Sequence, residues 1–345
     1  MIKMRAVIFK KHGETKELEE AYVPIPDLGK RDVLVKVRAC ALNHLDLWTL
    51  AGMPGAKITM PHILGSDVAG EVVEKGKKVH GIPLYKPVIV APGISCGKCD
   101  YCKSGWDSLC RQYRILGFQE NGGYAEYVKV PARNIIPVTK QLSMEAWASI
   151  PLTFLTAWHM LVKRAAIQKK NSVLVHGAGS GVGSAAIQIA KLFKARVLAT
   201  VGRQEKVKCA KALGADEVIN YTEKDFVTEV LRFTKAEGVD IVFDHLGGET
   251  FTKSIHCLKK KGRLVTCGVT TGRSVNLDLR YVYSRQLSIV GSYMGGIHEL
   301  ERIVRRVRAG KLHPVVDKVF PLREARQALN RMIARDHFGK IILKP

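Results

Sequence analysis

Residues 171–201 read NSVLVHGAGSGVGSAAIQIAKLFKARVLATV. Two short apolar runs, SVLV and RVLATV, flank a small-residue loop and the amphipathic stretch SAAIQIAKLF. Apolar runs without alternation are strands buried on both faces, and the stretches between them are helices. The alternation continues through QEKVKCAKAL, DFVTEVLRFT and VDIVFD. This part of the chain is therefore expected to be an α/β, doubly wound parallel sheet of the Rossmann kind.

The loop GAGSGVG holds Gly177, Gly179, Ser180, Gly181, Val182 and Gly183. Small residues between a strand and a helix N-terminus let backbone N–H groups approach a pyrophosphate, and these six residues are assigned to dinucleotide binding. The loop is not a literal G-x-G-x-x-G: Ala178 and Ser180 stand where the first two glycines would be, and a plain tight turn is the competing reading. An NAD site usually carries an acidic residue at the end of the second strand. Val201 and Gly202 stand there, followed by Arg203 and Lys206, which suit a 2′-phosphate. NADP(H) is the expected cofactor, with NAD(H) the alternative.

Residues 96–110, CGKCDYCKSGWDSLC, space four cysteines as C-x2-C-x2-C-x7-C. Cys96, Cys99, Cys102 and Cys110 are expected to hold one structural zinc. Four thiolates fill a tetrahedral zinc and leave no position for water or substrate, so the site shapes a lobe and performs no reaction. Cys40, Cys209, Cys257 and Cys267 are expected as small core residues.

With 345 residues, two domains are expected. No apolar run is long enough to span a membrane, so the expectation is a cytoplasmic protein without membrane contact. Lysine and arginine number 55 against 31 acidic residues, a net charge of +24. The excess is spread along the chain without interleaved aromatics, so nucleic acid is not the expected partner.

The cysteine loop ahead of the nucleotide-binding half, with KMRAVIFKKHG, PHILGSDVAGEVVEKG, GGYAEYVKVP and the closing FGKIILKP, resembles the medium-chain dehydrogenase/reductase superfamily, which includes zinc alcohol dehydrogenases and quinone reductases. The resemblance covers nearly the whole chain. It implies a mainly-β, GroES-like catalytic domain over residues 1–150, a Rossmann domain inserted over 151–295, and a return segment, 296–345, completing the first domain.

The departures carry the functional reading. Zinc alcohol dehydrogenases of this family hold a second, catalytic zinc with a Cys, a His and a further Cys or acidic residue, the His being followed by a Glu. Here Asn43 stands at the first position, Ser66 and Asp67 replace the His and Glu, and the later Cys falls at about Leu152. These are poor zinc ligands beside thiolate and imidazole, so a second zinc is not expected. A zinc-free site suits acceptors already activated by conjugation, such as quinones, enones or related carbonyls, reduced with NADPH. The alternatives are a zinc alcohol dehydrogenase with an atypical metal site and, from another class, a nucleic-acid-binding protein on a dehydrogenase scaffold.

The resemblance also assigns roles. Asn43, Asp46 and Thr156 are the expected catalytic residues, Asn43 presenting an amide donor to the substrate oxygen, Asp46 orienting Asn43 or the loop backbone and Thr156 packing on the nicotinamide. His44 is expected at the cofactor pyrophosphate, Gly268, Val269 and Thr270 at the carboxamide, and Lys340 at the cofactor phosphates. His159 and His245 are the candidate proton donors. QLSIVGSYMGG resembles an edge strand through which relatives pair, so a homodimer or homotetramer acting on a small-molecule substrate is expected.

Overall fold

Met4, Ala6, Val7, Ile8 and Phe9 are buried along the first strand, β1 (Lys3–Phe9), because an apolar run this dense has a partner on both sides. The computed structural model describes residues 2–345. After β1 come β2 (Glu19–Pro24), β3 (Asp32–Ala41), helix α1 (His44–Ala51), β4 (His62–Ile63), β5 (Asp67–Lys75) and β6 (Pro87–Val90). The cysteine segment follows, with β7 (Gly93–Ile94), α2 (Asp100–Lys103) and β8 (Arg114–Ile115), and then β9 (Tyr127–Pro131), β10 (Ile135–Pro137) and α3 (Met144–Ala148).

The middle of the chain runs α4 (Pro151–Trp158), β11 (Ser172–Val175), α5 (Gly181–Leu192), β12 (Arg196–Val201), α6 (Glu205–Ala212), β13 (Glu217–Asn220) and α7 (Phe226–Phe233). It continues as β14 (Val239–Asp244), α8 (Gly248–Ser254), β15 (Leu258–Thr266), α9 (Leu279–Ser284) and β16 (Ser288–Gly291). The return is α10 (Ile297–Arg308), β17 (Val316–Pro321), α11 (Ala325–Ile333) and β18 (Lys340–Lys344).

Two compact units result. One holds the residues up to Leu152 with Gly295–Arg308 and Pro314–Pro345; the other holds Thr153–Met294 and Ala309–His313. In the first, a seven-stranded sheet has the order β10-β6-β5-β3-β18-β17 with β9 also on β3, and a three-stranded sheet has the order β2-β1-β4. The late strand β18 lies antiparallel to the early strand β3, pairing Leu343 with Cys40 and Ile342 with Ala41. That register sets Lys340, at the start of β18, beside the turn leaving β3.

In the second unit all six strands are parallel in the order β13-β12-β11-β14-β15-β16. This is the expected doubly wound sheet. The order reverses between β11 and β14, and in such sheets the ligand crevice lies outside the carboxyl ends of the strands at the reversal. Four-residue β16 forms one edge, with Ile289 exposed.

Of the cysteines outside the loop, Cys40 and Cys257 are buried as expected. Cys209 is not a core residue: it lies exposed on α6, whose apolar face is narrow, with only Ala210 buried. Among the described residues, no helix is long and apolar enough to cross a membrane.

Candidate functional site

The antiparallel pair β7–β8 closes the base of the cysteine lobe, and the short helix α2 turns Cys99 and Cys102 toward the others. The four Sγ atoms all lie within 4.8 Å of one another, with Cys99 to Cys102 at 3.5 Å and Cys96 to Cys102 at 3.9 Å. Zinc–sulfur bonds of about 2.3 Å put tetrahedral sulfurs about 3.8 Å apart, so this donor set fits one zinc with no open position. Backbone N–H groups of Lys98 and Cys99 hold the Cys96 thiol down to about 6, which favours the thiolate that a metal needs. Among the described residues it is the one group of three or more potential metal ligands.

A second polar centre is buried in the same unit, where β3, α1, β5 and β18 meet. Gly65 (φ +102°) leads the chain into it, at a point where a Cβ would fall 2.5 Å from the Tyr124 ring and 2.7 Å from Cys40 Sγ; only glycine lets the backbone pass this close. Lys340 Nζ donates to the Leu42 carbonyl, to Asn43 Oδ1 at 2.6 Å and to Asp67 Oδ2 at 3.0 Å. Asn43 Nδ2 donates to the same Asp67 Oδ2 at 2.9 Å, and Asp67 Oδ1 accepts the Leu152 N–H at 2.6 Å. Lys340 is 4% exposed and Asp67 0%, so the ion pair is sheltered from screening.

Asp46 completes the cluster. Its Oδ2 accepts the Asn43 backbone N–H at 2.7 Å and the Tyr124 hydroxyl at 2.8 Å, while Oδ1 has no partner. Burial pushes its carboxyl up to about 6; the two hydrogen bonds and the Lys340 charge pull it partway back, and the Asp67 charge raises it. Burial and the same carboxylate hold the Tyr124 phenol well above its ordinary range.

Two expectations are corrected by this geometry. Asn43 does not present a free amide donor, because the two protons of Nδ2 go to Asp67 Oδ2 and, at 3.4 Å, to the Ala41 carbonyl, and Oδ1 accepts from Lys340. Lys340 does not reach toward cofactor phosphates, because its three protons are spent on buried acceptors, a role set by the β18–β3 register that a sequence pattern does not display. Asp46 does hold the Asn43 backbone. A second zinc does not fit: an ammonium lies among the oxygens of Leu42, Asn43 and Asp67, and Leu152 contributes a backbone N–H, not a ligand. His44 opens α1, its ring 5.1 Å from that of Trp48; burial and then the charge of Arg335 lower its pKa.

In the second unit the expected nucleotide residues gather at the carboxyl ends of β11, β12 and β15. Gly177 (φ +60°) makes the turn after β11, and a Cβ on Gly183 would fall 2.2 Å from the Gly177 carbonyl. Ser180 caps α5, its Oγ accepting the Gly183 N–H at 2.9 Å. The departure from three glycines thus has a local cause: the hydroxyl fills a cap that the helix needs. It takes one first-turn N–H and leaves those of Gly181 and Val182 without intrahelical partners. Arg203, exposed beyond β12, pairs with Glu205 at 3.7 Å, and Lys206 lies in the first turn of α6. Gly268, Val269 and Thr270 follow β15, and Thr270 Oγ1 donates to the His245 carbonyl at 3.3 Å.

His245 is the residue whose role the sequence did not display. Its Nε2 lies 3.0 Å from the His176 carbonyl and 3.2 Å from Ser180 Oγ, so it donates from that nitrogen and braces the glycine loop. That occupation argues against Nε2 as a proton donor to substrate. Thr156 is buried on α4, and His159 is buried where the helix widens into a π-turn.

Residues 29–140 match the family described as alcohol dehydrogenase GroES-like domain, and residues 181–309 match zinc-binding dehydrogenase. An NAD-dependent alcohol dehydrogenase of Sulfolobus acidocaldarius is 33% identical over 99% of both chains. An acryloyl-coenzyme A reductase of Sulfurisphaera tokodaii is 31% identical over 99% of this chain and 100% of its own. A crystal structure described as an NAD-dependent alcohol dehydrogenase superposes with a TM-score of 0.96 at 45% identity, over 99% of this chain and 100% of that one.

Proposed function

Because the chain belongs to the medium-chain dehydrogenase/reductase superfamily, and so is an NAD(P)-dependent oxidoreductase, we propose that it reduces a small conjugated acceptor with NADPH and carries zinc only in its cysteine lobe. The observation that supports this is the Lys340 ammonium bonded to Leu42, Asn43 and Asp67. A centre filled in this way offers no Lewis acid to an alcohol or an isolated carbonyl. An acceptor whose C=C is conjugated to a carbonyl, such as a quinone, an enone or an unsaturated thioester of the acryloyl-coenzyme A type, needs less polarisation.

When bound, a nicotinamide would supply hydride chemistry, with the β-carbon of the conjugated acceptor as the receiving atom. The chain positions the reactants, and the α-carbon takes a proton from solvent or a side chain. Gly181 and Val182 offer N–H groups at the α5 N-terminus for pyrophosphate, and Arg203 and Lys206 offer charge for a 2′-phosphate. Placement of Thr156 and His44 against the cofactor rests on the family resemblance. Edge strand β16, with Ile289 exposed, is where a second copy would pair to give a homodimer or a larger homo-oligomer. The enzyme is proposed to act in the cytoplasm on a small molecule, with no nucleic-acid partner.

The names of the Sulfolobus relative and of the 45%-identical structure favour a second reading, NAD-dependent alcohol oxidation with a second zinc. That reading needs Lys340 to vacate its acceptors. Zinc content per chain, measured with NADPH turnover on quinones, enones and acryloyl thioesters, separates the two. One zinc with NADPH-driven reduction is expected; two zincs with chelator-sensitive alcohol oxidation would overturn the proposal.

A further inference from the structure

The three Lys340 acceptors come from two distant parts of the chain. Leu42 and Asn43 lie between β3 and α1, Asp67 starts β5, and Lys340 arrives 273 residues after Asp67. Each acceptor meets the same nitrogen, and an ammonium has three protons to give. The arrangement is a small oxygen cage around a cation: one carboxylate, one amide oxygen and one peptide oxygen. Hard divalent ions prefer this donor set. Asp46 stands outside the cage and holds the Asn43 backbone N–H behind it.

We propose that Lys340 is the resident cation of this cage and excludes metal from it, so that the chain contains a latent divalent-cation site opened by loss of the ammonium. This rests on the reading that the second centre of the enzyme holds no zinc. The lysine stem enters along β18, so metal and ammonium cannot share the space. The same contacts pin residues 42 and 43 at the start of α1, which fixes how that helix presents His44 and Trp48.

The test uses the full-length chain with zinc retained in the cysteine lobe, offered cobalt(II) chloride as the probe, with metal per chain read by elemental analysis and by the visible cobalt spectrum. Wild type and Lys340→Arg are expected to take up no cobalt beyond the zinc already held. Lys340→Ala is expected to take up one cobalt per chain beyond that zinc. If Lys340→Ala binds none while wild type holds one zinc, the cage idea is wrong and the zinc-free reading of the centre stands. If wild type itself takes a second metal, both fail. Should Lys340→Ala not fold, acylation of folded wild type with acetic anhydride decides. A caged ammonium is modified about tenfold or more slowly than exposed lysines, and modification at their rate overturns the proposal.

Discussion

Replacing Asp46 by asparagine should change how stability depends on pH, and the change can be worked out from the geometry. Asp46 is fully buried; its Oδ2 accepts from the Asn43 N–H and the Tyr124 hydroxyl, and its Oδ1 has no partner. Burial moves the carboxyl from its ordinary 3.8 to about 6. Between those values the folded chain binds more protons than the unfolded chain, so stability falls as pH rises through that window. At 1.36 kcal/mol per pH unit of displacement, the loss is about 3 kcal/mol once the pH is above 6. An asparagine accepts the same two hydrogen bonds and leaves the same unpartnered position, so it mimics the protonated acid at every pH. Urea midpoints of wild type and Asp46→Asn, followed by circular dichroism from about pH 4 to pH 7.5, should diverge in favour of the variant by about 3 kcal/mol. Zinc loss at the acid end affects both proteins alike and cancels in the difference. Parallel profiles, or a gap growing in favour of wild type, would refute the reasoning.

Cys99→Ser should empty the lobe of zinc and lower the unfolding temperature, checked by metal analysis and calorimetry, because a four-sulfur site contributes directly to folding of its loop. Ser180→Ala should cost about 1 kcal/mol through loss of the α5 cap, measured by denaturation. Arg203→Ala should raise KM for NADPH at least about tenfold while leaving KM for NADH nearly unchanged, measured by initial rates with each nucleotide. Equal effects on both would remove Arg203 from the 2′-phosphate site.

The doubly wound sheet was legible because its signals are local: unbroken apolar runs such as RVLATV, amphipathic stretches between them, and small residues at the first turn. The zinc lobe was legible for the same reason, since four ligands within one short segment meet almost whatever the rest of the chain does. Asn43, Asp46 and Asp67 could be located in one region by resemblance, but not oriented. Which way the Asn43 amide turns depends on Lys340, and a lysine preceding an apolar strand reads in sequence as a solvated surface residue. Only the β18–β3 pairing turns it inward. Tyr124 was not singled out, and His245 was expected as a proton donor and not as a brace of the glycine loop, because each bonds a partner far away in the chain, 78 residues for Tyr124 to Asp46 and 69 for His245 to the His176 carbonyl.

The parallel β17–β18 pair and the docking of β18 on β3 also bear on how the protein is made. Leu42, Asn43 and Asp67 leave the ribosome long before Lys340, and by then residues of the whole nucleotide-binding sheet have emerged. Until β18 is added, Asp67 is a carboxylate without its cation and the Cys40–Ala41 end of β3, already paired with β5, lacks its other neighbour, so the core of the first unit stays incomplete. The nucleotide-binding unit, whose strands are nearly contiguous in sequence, can finish first. During synthesis the first unit is therefore the late-maturing one, and a nascent chain stalled before residue 340 would hold a finished nucleotide sheet and a first unit whose core is still open.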